Sequence, residues 1–158
     1  MHTFGGVLIG LGIAVGFIAV VWLGLSATRR SAPGTPGLAD IAIAHGTLIV
    51  APRGVWRMLA LTRAIEVPLS QVVGCDADPD PRSSHPVAMR VGGTGFPGRV
   101  RAGYMVGADG RSWWLYRYGE NAVVIELAGN RLAYLVVEVD DPTAVVDAIR
   151  HAAAAAQR

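Results

Sequence analysis

Lysine is absent. All 14 basic side chains among the 158 residues are arginine, set against 12 acids and four histidines. Arg29 and Arg30 stand apart near the N-terminus, and from Leu38 onward twelve arginines face twelve acids, so that part of the chain is neutral. A neutral domain lacks the basic footprint of general nucleic-acid binding, and no nucleic-acid partner is expected. Cysteine occurs once, at Cys75. An internal disulfide is therefore excluded, which suits a reducing compartment. His2, His45, His85 and His151 lie far apart and, with one cysteine, show no zinc spacing. No nucleophile–base pair or metal set is visible, so no enzymatic activity, metal or cofactor is expected. Cys75 itself reads as a small buried apolar residue.

Charge is also absent from Phe4 to Ala27, which reads FGGVLIGLGIAVGFIAVVWLGLSA. A bilayer core needs about 20 apolar residues in a helix, and a helix satisfies its own backbone in lipid. A cleaved secretory signal would carry its basic residues before the apolar core. Here Met1-His2-Thr3 supplies only the terminal amine, and Arg29 and Arg30 follow the run. The expectation is an uncleaved single-pass anchor over residues 1–30 in the cell membrane. The positive-inside rule then puts the C-terminal domain in the cytoplasm, with Trp22 near the headgroups. Gly6-x-x-x-Gly10 and Gly12-x-x-x-Gly16 fit the close-packing pattern of membrane helices. They make self-association, or pairing with another membrane protein, an expected property beside residence in the lipid bilayer.

Residues 31–38 read as a linker: Ser31 to Gly37 (SAPGTPG) is proline, glycine and hydroxyl residues. Residues 39–158 then alternate short apolar runs with turn signals. Strands are expected at Ile41 to Ala44, Thr47 to Ala51, Val55 to Leu61, Arg63 to Val67, Gln71 to Asp76 and Val87 to Val91. Further strands are expected at Gly103 to Val106, Arg111 to Tyr118, Ala122 to Leu127 and Leu132 to Val139. Asp78 to Ser84 reads as a loop, and Gly107-Ala108-Asp109-Gly110 as a hairpin turn. Such spacing predicts an antiparallel sandwich or barrel. Asp141-Pro142 is a helix start, and Val145, Val146, Ile149, Ala152 and Ala153 recur at helical spacing after it. The fold class is mostly β with one C-terminal α-helix packed on the sheet or across a barrel opening.

Short strands closed by one terminal helix, together with several local sequences, carry a resemblance. The sequences are Ile65-Glu66-Val67-Pro68-Leu69-Ser70-Gln71-Val72, the Arg90 to Gly98 segment RVGGTGFPG, Ala102-Gly103-Tyr104, and Val137-Glu138-Val139-Asp140-Asp141-Pro142. Over about residues 39–153 the chain resembles the bacterial pleckstrin-homology-like domain family, often found beside membrane helices. The resemblance implies a pleckstrin-homology-like barrel that acts as a binding or scaffold module without activity. Eukaryotic relatives that bind phosphoinositides carry a Lys-x-Arg-type cluster between the first two strands. Arg53 and Arg57 stand near that place here, with no lysine and no adjacent Arg-x-Arg.

Three patterns invite a site. Gly93-Thr94-Gly95-Phe96-Pro97-Gly98 matches G-x-G-x-x-G, but no helix signal follows, so a tight loop in a β fold is expected instead of a dinucleotide site. Asp76-x-Asp78-x-Asp80 imitates a calcium loop, yet Pro81 and Val87 stand where glycine and a bidentate glutamate belong. Residues 82–117 hold Arg82, Arg90, Arg99, Arg101, Arg111 and Arg117 against Asp109 alone. If they converge, Arg90, Arg99 and Arg101 would suit phosphate or carboxylate; if they alternate along strands, they scatter into solvent. Adjacent Trp113 and Trp114 must point to opposite faces. One is expected in the core and the other outward, against membrane, a partner or covering loops. The sequence thus describes a non-enzymatic membrane-anchored scaffold, with docking of an Arg-rich face on anionic headgroups as the alternative.

Overall fold

The computed structural model describes residues 36–96, 99–118 and 121–158. The apolar stretch 4–27, its glycines Gly6, Gly10, Gly12 and Gly16, and Arg29 and Arg30 lie outside the described residues. Among the described residues, no helix is long and apolar enough to cross a membrane.

The first sheet is a three-stranded antiparallel meander, β1 (Ala39–Ala44), β2 (Thr47–Pro52) and β3 (Ile65–Pro68). His45 and Gly46 both have left-handed φ angles, as a two-residue hairpin with the twist of its strands requires. A short helix, α1 (Trp56–Leu59), stands between β2 and β3. This corrects the strand expected at Val55 to Leu61. Gly54 turns the chain with positive φ, and Arg57, Met58, Leu59 and Ala60 are helix formers.

A 3₁₀ turn (Leu69–Gln71) leads into the second sheet. Its strands are β4 (Val72–Ala77), β5 (Val87–Phe96), β6 (Val100–Gly107), β7 (Gly110–Tyr116), β8 (Ala122–Leu127) and β9 (Tyr134–Glu138), in the order β4-β8-β9-β7-β6-β5. The Gly110 turn is the expected hairpin, closed by Gly107 opposite Gly110. The glycine-rich stretch expected as a loop is largely strand: β5 runs through Gly92, Gly93 and Gly95 to Phe96, and β6 follows it. The six strands are not all antiparallel. β8 starts two strand positions from β7, and the β8–β9 hairpin folds back to lay β9 between them, parallel to β7. The two sheets are hydrogen-bonded separately, so they do not form a closed barrel.

β4 and β5 lie at opposite edges of the second sheet. The segment joining them must therefore cross the sheet. It carries a second short helix, α2 (Pro81–Ser84), inside what reads as a loop by composition. The last helix, α3 (Pro142–Ala156), starts where expected: Asp141 caps it by accepting from the Ala144 amide, and proline follows. Val146, Ile149 and Ala153 are buried, with Val145 and Ala152 half-buried. This face packs on β4, β8, the 3₁₀ turn and β1, and so bridges the two sheets.

The core lies in two layers. The inner layer, between the sheets and under α3, gathers Leu48, Val50, Val67, Trp113, Leu115, Ile125, Leu135 and Val137. The outer layer, on the far face of the second sheet, gathers Met105, Trp114, Tyr116, Val124, Tyr134 and Val136. Alternate residues of β7, β8 and β9 feed one layer or the other.

Gly93 and Gly103 face each other across β5 and β6 with φ of 105° and 122°, and a Cβ on either would run into the other strand's backbone. Gly103→Ala is expected to lower stability by about 3 kcal/mol. Gly46→Asn, at a left-handed turn position with open space around it, is expected to leave stability near the parent value. Thermal and urea unfolding of the two variants checks both.

Candidate functional site

The arginines of residues 82–117 do not form one patch. Arg117 is committed to the fold. Its backbone amide and guanidinium donate to Glu138, a carboxylate only 3% exposed, and Nη2 also donates to the Pro36 carbonyl at 2.6 Å. Arg82 stacks over the Tyr118 ring, 4.4 Å from its centroid. Arg111 is exposed beside the β6–β7 turn, opposite Val106. Arg99 is exposed at the other end of β6.

Arg90 and Arg101 share the outer face of β5 and β6. Arg101 sits opposite both Gly95 on β5 and Tyr116 on β7, on the outer face. Its guanidinium lies 5.0 Å from the centroid of Trp114, and Nη1 is buried without a hydrogen-bond partner among the described residues. Arg90 occupies the same face, opposite Met105, and Nη1 donates to the Gly95 carbonyl at 3.3 Å. A side chain at Gly95 would collide with it. Arg90 thus folds over a position without a side chain, while the Arg101 guanidinium lies against Trp114. Each guanidinium has the donor geometry that suits a carboxylate or phosphate.

Trp113 and Trp114 do point to opposite faces, as alternation requires, but neither reaches solvent: both are fully buried. The outward-facing role expected of one is corrected. Trp114 is covered in the outer layer, where its indole donates to Ser112 Oγ at 2.9 Å and meets Tyr134 edge-on. The crossing segment seals this face. The Asp78 amide bonds Ala122, the Tyr116 hydroxyl reaches the Pro79 carbonyl, Pro81 is buried, and His85 stacks 4.7 Å from Tyr134. Burial pushes the Tyr116 hydroxyl above its ordinary pKa, with Asp80 and Glu138 adding to the shift.

The Asp76-x-Asp78-x-Asp80 carboxylates serve turns and pairs. Asp78 accepts from the Asp80 amide, Asp80 from Ser83 Oγ, and Asp76 pairs with Arg150 of α3. No group of three metal-binding side chains gathers among the described residues.

Two features escaped the sequence. The first is a clamp at the chain's entry. Arg53 pairs with Asp40 and Asp140 at 2.7 Å each and donates to the Gly37 carbonyl, while the Gly37 amide donates to Asp140. Hydrogen bonding to Asp140 holds the Arg53 guanidinium firmly charged, against the opposing cost of burial. The second is a set of exposed apolar side chains: Val55 (60% exposed), Met58 (77%) and Leu61 (65%) around α1, and Met89 and Val91 on the free-edge strand β5. Helical spacing at positions 55, 58 and 61 carried the first signal, which a strand reading hides.

No protein-family model, curated protein or solved structure matches this chain.

Cys75 is buried, and desolvation pushes its thiol from 9.0 up to about 12, with Asp76 adding and Arg150 opposing. The folded protein holds this proton after the unfolded chain has released it. The contribution to stability is full below pH 9 and is lost as pH rises toward 12. Over that range Cys75→Ala is expected to lose stability less steeply than the parent in urea unfolding. Thiol reagents at pH 8 are expected to label Cys75 only after denaturation.

Proposed function

We propose that the chain is a non-enzymatic, membrane-tethered scaffold whose pleckstrin-homology-like domain binds an acidic segment of another membrane-associated protein. The β5–β6 hairpin carries recognition. The observation behind this is that Arg90 and Arg101 share the outer face of the β5–β6 hairpin, whose ten-residue β5 is an edge strand with a side that no other described strand pairs. An edge strand offers backbone donors and acceptors to an incoming extended segment, and flanking guanidiniums select its carboxylates. The bulges between Val87 and Met89 and between Arg90 and Gly92 limit open-ended pairing along that edge. The part of that fold the chain shares is a mostly β domain ending in one helix. The N-terminal apolar run supplies the tether in this reading, with the domain on the cytoplasmic side.

The remaining charged clusters support binding over catalysis. Arg117 with Glu138, Arg53 with Asp40 and Asp140, and Arg150 with Asp76 spend their charges in ion pairs, and Cys75 is buried. The originally broader basic face, a surface for anionic headgroups, loses Arg117 to Glu138 and Arg82 to Tyr118. What is left, two arginines beside a strand edge with no apolar tip between them, suits a short acidic segment.

Affinity capture from native membranes tests the reading. The baits are the full chain and the same chain with an unrelated apolar anchor. The expected outcome is a defined partner retained by both and lost by the double variant Arg90→Gln, Arg101→Gln. Arg111→Gln at the far end of the hairpin is expected to retain it. Loss of the partner on anchor exchange alone would move recognition to the N-terminal segment.

A further inference from the structure

The apolar residues around α1 are outside the hairpin's role and have a geometry of their own. The helix splits its apolar residues between two sides. Trp56, Leu59 and Ala60 turn inward, Ala60 fully buried and the other two packed against the inner layer. Val55, Met58 and Leu61 turn outward, each more than half exposed. Leu61 holds a left-handed φ of 55°, a position that favours glycine or asparagine. Its Cδ1 lies 3.7 Å from where a Cβ on Gly92 would sit, so β5 supports it from beneath.

The surroundings are basic. Between Arg53 and Ile65 there are three arginines and no acid. Arg57 is exposed and steadied by donation from Nε to the Pro52 carbonyl, and Arg63 is exposed two residues beyond Leu61. Arg53 itself is taken up by Asp40 and Asp140. An apolar tip flanked by arginines complements an anionic bilayer: the side chains enter the headgroup layer while the guanidiniums meet lipid phosphate.

The chain's entry lies at the same end of the domain. Arg53 bonds the Gly37 carbonyl, its amide bonds the Leu38 carbonyl, and Ala39 pairs with Pro52. α1 begins three residues after Arg53. The six residues 31–36 reach about 20 Å at full extension. In the reading above, with residues 1–30 as the anchor, so short a linker would limit how far this end stands from the bilayer.

We propose that the α1 tip, Val55, Met58 and Leu61 flanked by Arg57 and Arg63, is a docking surface for an anionic lipid bilayer. It holds the tethered domain in one orientation with the β5–β6 hairpin free for its partner. The proposal rests on the tether in the reading above for its orientation, and adds a lipid site that reading does not contain.

The test places the full chain in vesicles with a fluorophore at Met58→Cys. The buried Cys75 thiol is spared by labelling under native conditions. The control carries the label at Ala108→Cys, in the exposed β6–β7 turn. Vesicles are phosphatidylcholine with or without phosphatidylglycerol, and nitroxide-bearing acyl chains act as the quencher. Strong quenching at the Met58 position, little at Ala108, and a marked excess in phosphatidylglycerol vesicles are expected. Arg63→Glu is expected to lower the docked-to-free ratio about fivefold or more. Leu61→Asn, which suits the left-handed backbone, is expected to weaken docking with an unchanged melting temperature. Failure of the chain to float with the vesicles overturns the tether, and this proposal with it. Flotation without quenching at Met58, or equal quenching with and without phosphatidylglycerol, overturns the lipid site alone. So does a Met58 probe shielded from aqueous iodide but untouched by the lipid quencher, which would mark a protein contact.

Discussion

Three neighbouring strands, β8, β9 and β7, send apolar side chains from both faces, and such a sheet is stable only when each face is covered. Much of the architecture follows from meeting that demand within one small domain. The inner face is covered by the three-stranded sheet and by α3, whose Val146, Ile149 and Ala153 close the space between them. Among the described residues no second sheet covers the outer face. It is covered by the chain itself, because β4 and β5 occupy opposite edges and the segment between them must travel across. That crossing turns a topological necessity into a lid for Trp114, Tyr116 and Tyr134. It uses short-range devices suited to a loop: proline burial, an Asp80–Ser83 turn and ring stacking by His85.

The same demand explains the arrangement of charge. Glu138 ends the central strand and is almost fully buried, so its carboxylate requires strong donors. Arg117 supplies its backbone amide and its guanidinium, then extends to the Pro36 carbonyl. Arg53 does the equivalent work from the first sheet, joining Asp40, Asp140 and Gly37. Gly37 has no room for a side chain, since a Cβ there would meet the Val139 and Asp140 backbone at 2.6 Å. The chain is thus fixed to the sheet from its first described residues. Burial of one carboxylate and packing of one glycine decide where any preceding segment must leave the domain.

What the sequence made legible tracks how local the signal is. The capped helix at Asp141-Pro142, the His45-Gly46 hairpin and the Gly107 to Gly110 turn each depend on residues within a few positions, and each forms as read. The parallel β7–β9 pair has no local signal, because it depends on a later hairpin inserting into a gap left earlier. The glycines of β5 read as a loop because glycine usually weakens a strand. Here Gly93 and Gly103 permit a backbone approach that only the paired strand reveals. At the candidate site, alternation placed Trp113 and Trp114 on opposite faces correctly. It carried no information on the crossing segment that buries the second. Of the six arginines, the sequence could count them but could not see that Arg90 folds over Gly95, that Arg101 lies against Trp114 and that Glu138 takes up Arg117.

With both faces sealed and the entry pinned, the rims are the surfaces left open. Single exposed apolar side chains are ordinary there, whereas a cluster of them marks a surface for interaction. Leu61 is the sharpest case. It adopts a left-handed backbone that disfavours it, lies two-thirds exposed, and rests above Gly92. Asparagine or glycine would fit that backbone at lower cost. Its neighbours Val55, Met58, Arg57 and Arg63 define that surface as apolar at the tip and cationic around it. This pattern matches the depth profile of an anionic bilayer, where hydrocarbon lies beneath phosphate. The β5–β6 hairpin presents the reverse emphasis, an edge strand with Arg90 folded over a glycine and Arg101 against Trp114. In the proposed reading the two rims divide the work by chemistry, one holding the domain at a surface and the other selecting what is brought there.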